Sequence, residues 1–89
     1  GGVYSQMGNQ SSALENYEKA LQIRTKALPA DHRDLANSYN NIGGVYSQMG
    51  DHKRALENFE KALQIRQKAL PADHPELANS YNNIGGVYS

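Results

Sequence analysis

A row of uncharged amide and hydroxyl side chains is the part of this sequence best suited to binding another molecule. It follows a helical spacing and consists of Asn37, Asn40, Asn41, Gly44, Ser47 and Gln48. An Asn amide can donate to a backbone carbonyl and accept from a backbone N–H at the same time. Such a row could therefore hold an extended peptide by its main chain. The alternative is that Asn41 and Asn83 tie neighbouring helices together and the other members have no role.

Histidines and glycines are the other residues in this sequence that could indicate a metal site or an enzyme. His32 and His74 each follow an Asp in a short polar segment, whereas a zinc site needs three or four converging ligands. A helix-capping or surface role is therefore favoured for both. Gly43-Gly44 lacks the spacing of a phosphate-binding loop, and neither a His-Glu-x-x-His motif nor a nucleophile elbow occurs. The sequence predicts no metal, no cofactor and no enzymatic activity.

The composition narrows the class of partner. The 89 residues carry nine Lys and Arg and nine Asp and Glu, which gives a formal net charge of zero. Nucleic-acid binders need clustered basic residues to neutralise phosphates, so no nucleic-acid partner is expected. No apolar run is long enough to cross a bilayer, and no membrane partner is expected. The chain has no Cys, which suits a reducing compartment, and we expect a cytoplasmic protein.

The sequence repeats itself with a period of 42 residues. The two repeat units, residues 1–42 and 43–84, differ at Asn9/Asp51, Gln10/His52, Ser11/Lys53, Ser12/Arg54, Tyr17/Phe59, Thr25/Gln67, Arg33/Pro75 and Asp34/Glu76. A period of this length is typical of helical repeat arrays, which mostly present a surface to a partner. The predicted fold class is all-α, an α-solenoid of antiparallel helix pairs.

The row of Asn residues belongs to a segment with helical periodicity, called helix A. Its large apolar residues, at steps of four and three, are Leu35, Tyr39, Ile42, Tyr46 and Met49. Gly43 lies beside this stripe and would let another helix approach closely. Gly50 suits the left-handed position that ends a helix, and Asp51 suits the N-cap of the next helix. In the first repeat unit Asn9 takes the role of Asp51.

A second helical segment, helix B, follows over residues 51–70. Two adjacent lines of apolar side chains predict a broad buried face. They are Ala55, Phe59, Ala62 and Ala69, and beside them Leu56, Leu63 and Leu70. Pro71 ends the helix, and either Asp73 or His74 caps the next one, with Pro75 in its first turn.

The spacing within one unit resembles the tetratricopeptide repeat signature. The matching positions are Tyr39, Ile42, Gly43, Tyr46, Gly50, Ala55, Phe59 and Ala62, and Tyr39 stands where that family usually has Trp. Helix B here continues from Ile65 to Leu70, which lengthens the unit to 42 residues. This longer form, with Asp-His-Pro followed by Tyr-Asn-Asn-Ile, is similar to the kinesin light chain type.

The resemblance implies a right-handed superhelix whose concave side is lined by the A helices. In that family the concave groove binds peptide segments of partner proteins. The groove-facing positions correspond to Asn37, Asn40, Asn41, Gly44, Ser47, Gln48, Asn79, Asn82, Asn83 and Gly86. Chaperone-binding relatives clamp a terminal carboxylate with Lys and Arg at such positions. No basic residue occupies them in this sequence, so that class of partner is disfavoured.

These observations predict one array over residues 1–89. It comprises a half-length helix A over 1–8, helix B over 9–28, a complete repeat over 33–70 and a terminal helix A over 75–89. The predicted function is a protein–protein interaction scaffold that binds an extended peptide on the concave helix-A surface. The alternative is a structural, self-assembling repeat with no specific ligand.

Apolar residues at both ends of the array predict self-association. They are Val3, Tyr4 and Met7 at one end and Leu77, Tyr81, Ile84, Val87 and Tyr88 at the other. Large apolar side chains that no neighbouring helix covers favour association. Because the repeat units are nearly identical, every molecule carries the surface that would cover them. We therefore expect a homo-oligomer, formed by end-to-end stacking or by exchange of terminal helices.

Overall fold

The computed structural model describes the backbone of residues 2–88 and the side chains of residues 9–88. Within this part of the chain there are four helices, α1 (Gly2–Ala27), α2 (Arg33–Met49), α3 (His52–Ala69) and α4 (Pro75–Tyr88). Helix α2 packs between α1 and α3, and α4 packs on α3 and also contacts α2. The prediction of an all-α fold of consecutive, antiparallel helices is confirmed.

The reversal between α2 and α3 is set by two residues that the sequence identifies. Gly50 has a φ of 85°, in the left-handed region where glycine has no Cβ penalty. Its N–H donates to the Ser47 carbonyl, and the N–H of Asp51 donates to the Tyr46 carbonyl, which together form a Schellman motif. The Asp51 carboxylate then accepts from the Arg54 N–H at 3.2 Å and caps α3.

The predicted break at Gly8 is wrong. Helix α1 continues through Gly8 and Asn9, so Asn9 is not an N-cap and residues 2–8 extend helix B instead of folding back on it. Residues 1–8 are equivalent to residues 43–50 and include no counterpart of Leu35 or Ile42, the residues that bury α2. A reversal would therefore interrupt the helical hydrogen bonds without the packing that stabilises the reversal at Gly50. Continuing the helix adds one hydrogen bond per residue.

The core lies where α2 crosses α3. It contains Leu35, Ala36, Ile42 and Val45 from α2, Ala55, Phe59 and Ala62 from α3, and Leu77 from α4, each less than one-tenth exposed. Two predicted core positions are wrong. Met49 is 46% exposed because it is the last residue of α2, next to the turn. Ala69 is exposed at the end of α3, and Arg66 takes the buried place one turn after Ala62.

The histidines of the two connecting loops act as helix caps. Nδ1 of His32 accepts from the Asp34 N–H at 3.1 Å, and Nδ1 of His74 accepts from the Glu76 N–H at 3.1 Å. Of the two candidate caps for α4, His74 is therefore the one that bonds the free N–H of the first turn. Each ring is thus oriented by the helix that it starts.

Among residues 2–88, no helix is both long enough and apolar enough to cross a membrane.

Candidate functional site

The predicted binding row partly converges on one open cavity. The cavity has a volume of about 330 Å³ and is lined mainly by α2, with residues of α1, α3 and the middle of α4 around it. Its lining includes Asn40, Asn41, Gly44, Gln48 and Asn83, all predicted site residues. The remaining lining residues are Ala13, Tyr17, Val45 and Phe59. A strip of amide groups thus borders a shallow apolar floor.

Two of these amides bond each other. The Asn83 side chain donates from Nδ2 to Oδ1 of Asn40 at 2.7 Å and so joins α4 to α2. A tie between helices through Asn83 was the alternative interpretation of the row, and the structure supports it for this residue, with Asn40 as its partner. Asn41 was the other proposed tie, and within residues 9–88 its side chain makes no hydrogen bond and is exposed. The row therefore combines a structural pair with an amide that has spare hydrogen-bonding capacity.

The other predicted site residues lie outside this cavity; they are Asn37, Ser47, Asn79, Asn82 and Gly86. Asn37 is exposed and its Oδ1 accepts from Nη2 of Arg66 at 3.3 Å. Asn79 and Asn82 are exposed on α4, and their side chains make no hydrogen bond to the described residues. Ser47 is half-buried near the end of α2, where its carbonyl accepts the Gly50 N–H.

A buried arginine, whose role no pattern in the sequence predicts, anchors α4. Arg66 is 5% exposed, and its Nη1 donates to Oγ of Ser80 at 2.7 Å and to the Glu76 carbonyl at 3.3 Å. Its Nη2 reaches Asn37 on α2, as described above, and its Nε lies 3.8 Å from Oε1 of Glu76. One guanidinium thus connects α3, α4 and α2. Hydrogen bonds to a charged donor are stronger than those between neutral groups.

The first repeat unit contains the same anchor. Nη1 of Arg24 donates to Oγ of Ser38 at 2.7 Å and to the Asp34 carbonyl at 3.2 Å, which fixes α2 on α1. The only signal in the sequence is that Arg and Ser recur fourteen residues apart in both units. No local rule distinguishes such a pair from two surface residues, because the contact exists only once the loop brings the next helix back.

An ion pair joins the first turns of α2 and α4. Arg33 of α2 bonds the Glu76 carboxylate of α4, which also lies 3.9 Å from Nδ1 of His74. Arg33 is one of the positions where the units differ, since Pro75 is its counterpart. This contact is therefore specific to the junction of α2 and α4. Across the described residues, no group of three or more His, Cys, Asp or Glu side chains comes together as a possible metal site.

Helix hairpins that pack one after another, with the same anchors in each unit, define a helical repeat protein. The profile of the tetratricopeptide repeat family matches residues 1–68 and, overlapping them, residues 34–89. The chain therefore belongs to the tetratricopeptide repeat family. This family is generally a protein–protein interaction module, and its repeats are typically non-enzymatic scaffolds.

Among curated proteins, none matches the chain at a significant level.

Proposed function

We propose that this chain binds an extended peptide segment of a partner protein along the strip of amides on its helix-A surface. The observation that carries the proposal is the cavity of about 330 Å³ bordered by Asn40, Asn41, Gly44, Gln48 and Asn83. An extended peptide presents alternating N–H and C=O groups, and an Asn or Gln side chain can pair with both. The proposed peptide is held by its main chain, in the concave groove that the kinesin light chain-like resemblance implies.

The chemistry of the strip supports this kind of ligand. Asn41 and Gln48 are exposed, and neither side chain makes a hydrogen bond to the described residues. Val45 and Phe59 form part of the apolar floor beneath them, where an apolar side chain of the peptide could be covered. Gly44 has no heavy atom within 4 Å of the place where a Cβ would stand, so a peptide backbone could approach α2 closely at that point.

Two further residues of the row contribute less to this proposal. Asn40 and Asn83 already satisfy one another through the bond at 2.7 Å. Each retains part of its amide for a ligand, but replacing either would also remove the tie between α2 and α4. The sharper variants are therefore Asn41→Ala and Gln48→Ala, combined in one chain.

A peptide first selected from a displayed random library would provide the probe, and its binding would be measured by fluorescence polarisation on dilute protein. We expect the double variant to weaken binding roughly tenfold, since each amide contributes about 0.5–1.5 kcal/mol. Gln64→Ala is the matched control, because Gln64 is an exposed amide of α3 away from the cavity. A double variant that retains the affinity of the unaltered chain would contradict the proposal.

The same selected peptide can be made with N-methyl groups at successive backbone positions. If the main chain is held, methylation at the bound positions removes an N–H donor and weakens binding without changing any side chain. Equal affinity for every methylated peptide would mean that side chains, not the main chain, are recognised.

The expected location in the cytoplasm stays a prediction, which fractionation of cells followed by immunodetection would check.

A further inference from the structure

One face of α4 is uncovered, and it is equivalent to the face of α2 that packs against α3. Ile42 is 3% exposed. Gly43 is buried, because the Phe59 ring and the Ala55 carbonyl of α3 lie close against it. The same residue types recur in α4 as Ile84 and Gly85, yet Gly85 is exposed. The exposed fraction is 55% for Tyr81 and 75% for Tyr88. Within the described part of the chain, nothing takes the place on α4 that α3 takes on α2.

Helix α1 has the complementary uncovered face. Over residues 9–27 it carries the helix B sequence, with Ala13, Tyr17 and Ala20 equivalent to Ala55, Phe59 and Ala62. In α3 these three residues are 0%, 5% and 0% exposed, respectively. In α1 Tyr17 is 37% exposed, and Ala13 and Ala20 are only half-buried. Residues 2–8 continue α1 as helix and so do not fold back onto this face. We call the uncovered strip beside Ala13, Tyr17 and Ala20 the α1 slot.

We propose that α4 of a second molecule of this chain docks in the α1 slot and forms a helix pair equivalent to α2 and α3. The argument is continuity with an interface that already exists in the molecule, since α4 has the sequence of α2 and α1 has that of α3. This proposal goes beyond peptide binding and does not depend on it. It also specifies the partner, a second copy, and the two faces that meet.

The hydrogen bonds of the two repeat units support this partner independently. The bond between Asn40 and Asn83 joins two A helices that are neighbours in the array. Asn82 is equivalent to Asn40, and Asn41 is equivalent to Asn83. In the docked pair the equivalent bond would therefore join Asn82 of the second molecule to Asn41 of the first. Both side chains are exposed, and neither makes a hydrogen bond to the described residues of its own chain. Docking would give each amide the partner that its repeat-related equivalent already has.

The arginine anchors also show a contact in the second repeat unit whose equivalent in the first unit lacks its partner within the chain. Arg66 has three acceptors, Ser80, the Glu76 carbonyl and Asn37. Arg24 bonds Ser38 and the Asp34 carbonyl, the equivalents of the first two. The equivalent of Asn37, shifted by one repeat, is Asn79 of the docked helix, which is exposed in its own chain. A single placement of α4 therefore covers two apolar faces and makes two further contacts between polar side chains, Asn82 with Asn41 and Asn79 with Arg24.

Each molecule carries one α1 slot and one α4, so the contact joins different surfaces. With α4 still packed on its own α3, successive molecules can add in one direction, or the series can close on itself as a ring, of which a dimer is the smallest. Both arrangements contain the same helix pair. The two kinds of assembly differ in size in solution, but the same residues are in contact in both.

Sedimentation velocity over a dilution series of the unaltered chain is the first test. We expect reversible association, with a dimer or a series of larger species that dissociates on dilution. A monomer at every concentration up to the millimolar range would overturn the proposal.

A matched pair of substitutions tests where the contact lies. At Gly43 an added Cβ would stand 2.8 Å from the Phe59 ring and 3.2 Å from the Ala55 carbonyl, but at Gly85 and Gly86 it would meet no heavy atom within 4 Å. Gly85→Gln should therefore fit within one molecule but clash with Tyr17 and Ala13 in the docked pair, and weaken association roughly tenfold or more. Gly86→Gln adds the same side chain at the equivalent of Gly44, where space is open, and should leave association unchanged. Equal effects of the two variants would overturn the assignment of the faces.

Cross-linking distinguishes this contact from other modes of association. The chain has no Cys, so Asn41→Cys in one molecule and Asn82→Cys in another are the only thiols in a mixture. We expect a short bismaleimide to join the two variants to each other far more than either to itself. Asn40→Cys with Asn83→Cys in a single chain is the positive control for reach. Association without the mixed cross-link would overturn the proposal.

Peptide binding and docking share Asn41, and Ala13 and Tyr17 of the α1 slot also line the peptide cavity, so the two proposals are tested under different conditions. Peptide titrations use protein diluted below the concentration at which association is measured. Loss of one result then leaves the other unaffected. A peptide that competes with cross-linking would place both ligands at the same side of α2.

Discussion

Helices α2 and α4 have the same sequence from Leu35 to Tyr46 and from Leu77 to Tyr88, but they differ in what covers them. On the side of the preceding helix they are alike, since Leu35 is 3% and Leu77 is 5% exposed and Ser38 and Ser80 are both buried, although Ala36 is buried and Ala78 is exposed. Their second halves differ, because Ile42 and Gly43 are buried whereas Ile84 is half-buried and Gly85 is exposed. Each A helix thus has one face for the preceding B helix and another for the following one. Only α2 has both faces covered.

The difference between the two helices shows that an A helix has two separate sets of contacts, one with the preceding B helix and one with the following B helix. The side facing the preceding helix is fixed by the Arg–Ser anchor, which is present for both α2 and α4. The side facing the following helix is fixed by close packing against a glycine. Substitutions at equivalent positions of α2 and α4 therefore separate the contribution of each face.

The largest expected difference is at the isoleucines. Ile42→Ala should lower the free energy of unfolding by about 2–5 kcal/mol, because it opens a cavity in the core between α2 and α3. Ile84→Ala should cost about 1 kcal/mol or less, since that side chain is only half-buried and removing it loses less buried apolar area. Urea denaturation followed by circular dichroism on dilute protein measures both. Similar costs would mean that α4 is covered as fully as α2.

A smaller difference is expected at the arginine anchors. Arg66→Met should cost about 2 kcal/mol, because it leaves Ser80 and the Glu76 carbonyl without their donor in a buried site. Arg24→Met should cost roughly half as much, since Arg24 is only half-buried and makes two of the three hydrogen bonds. The same denaturation series applies, with amide hydrogen exchange of α4 as a second measurement. A larger cost at Arg24 would contradict the idea that Arg66 anchors three helices.

The smallest expected effects are opposite in sign. Gly43→Ala should destabilise the fold by about 1–2 kcal/mol, because the new methyl group would stand 2.8 Å from the Phe59 ring. Gly85→Ala should stabilise the molecule by up to about 1 kcal/mol, the helix propensity gain, because its Cβ meets open space. Thermal melts at low protein concentration would measure the shifts. Changes of the same sign at both positions would remove the distinction between covered and uncovered faces.

Local features of the sequence predicted much of the structure. The spacing of three and four placed Leu35 and Ile42 in the core, and Gly50 and Asp51 were identified as the end of one helix and the cap of the next. The predicted break at Gly8 failed although the glycine is the same residue type as Gly50. A left-handed glycine permits a reversal, but the packing of the two flanking helices determines whether the reversal is the more stable state.

The candidate site was predictable only in part. The five predicted residues around the cavity lie on helix positions that periodicity identifies. The roles within the set were not predictable, because Asn40 pairs with Asn83 across two repeat units while Asn41, its neighbour in sequence, pairs with no described residue. Val3, Tyr4 and Met7, predicted as exposed apolar residues, lie outside the residues whose side chains are described.

The sequence by itself determined the repeat, the helical class of the fold, the family and the helix cap at Asp51. These properties depend on residues close together in the chain, so their physical causes are visible in a single unit. The tertiary structure alone decided that α1 is continuous, that Arg66 is buried and that equal helices have unequal neighbours. Those outcomes depend on which helix surfaces are in contact. Two segments of identical sequence, such as those in α2 and α4, therefore differ in burial when different helices pack beside them.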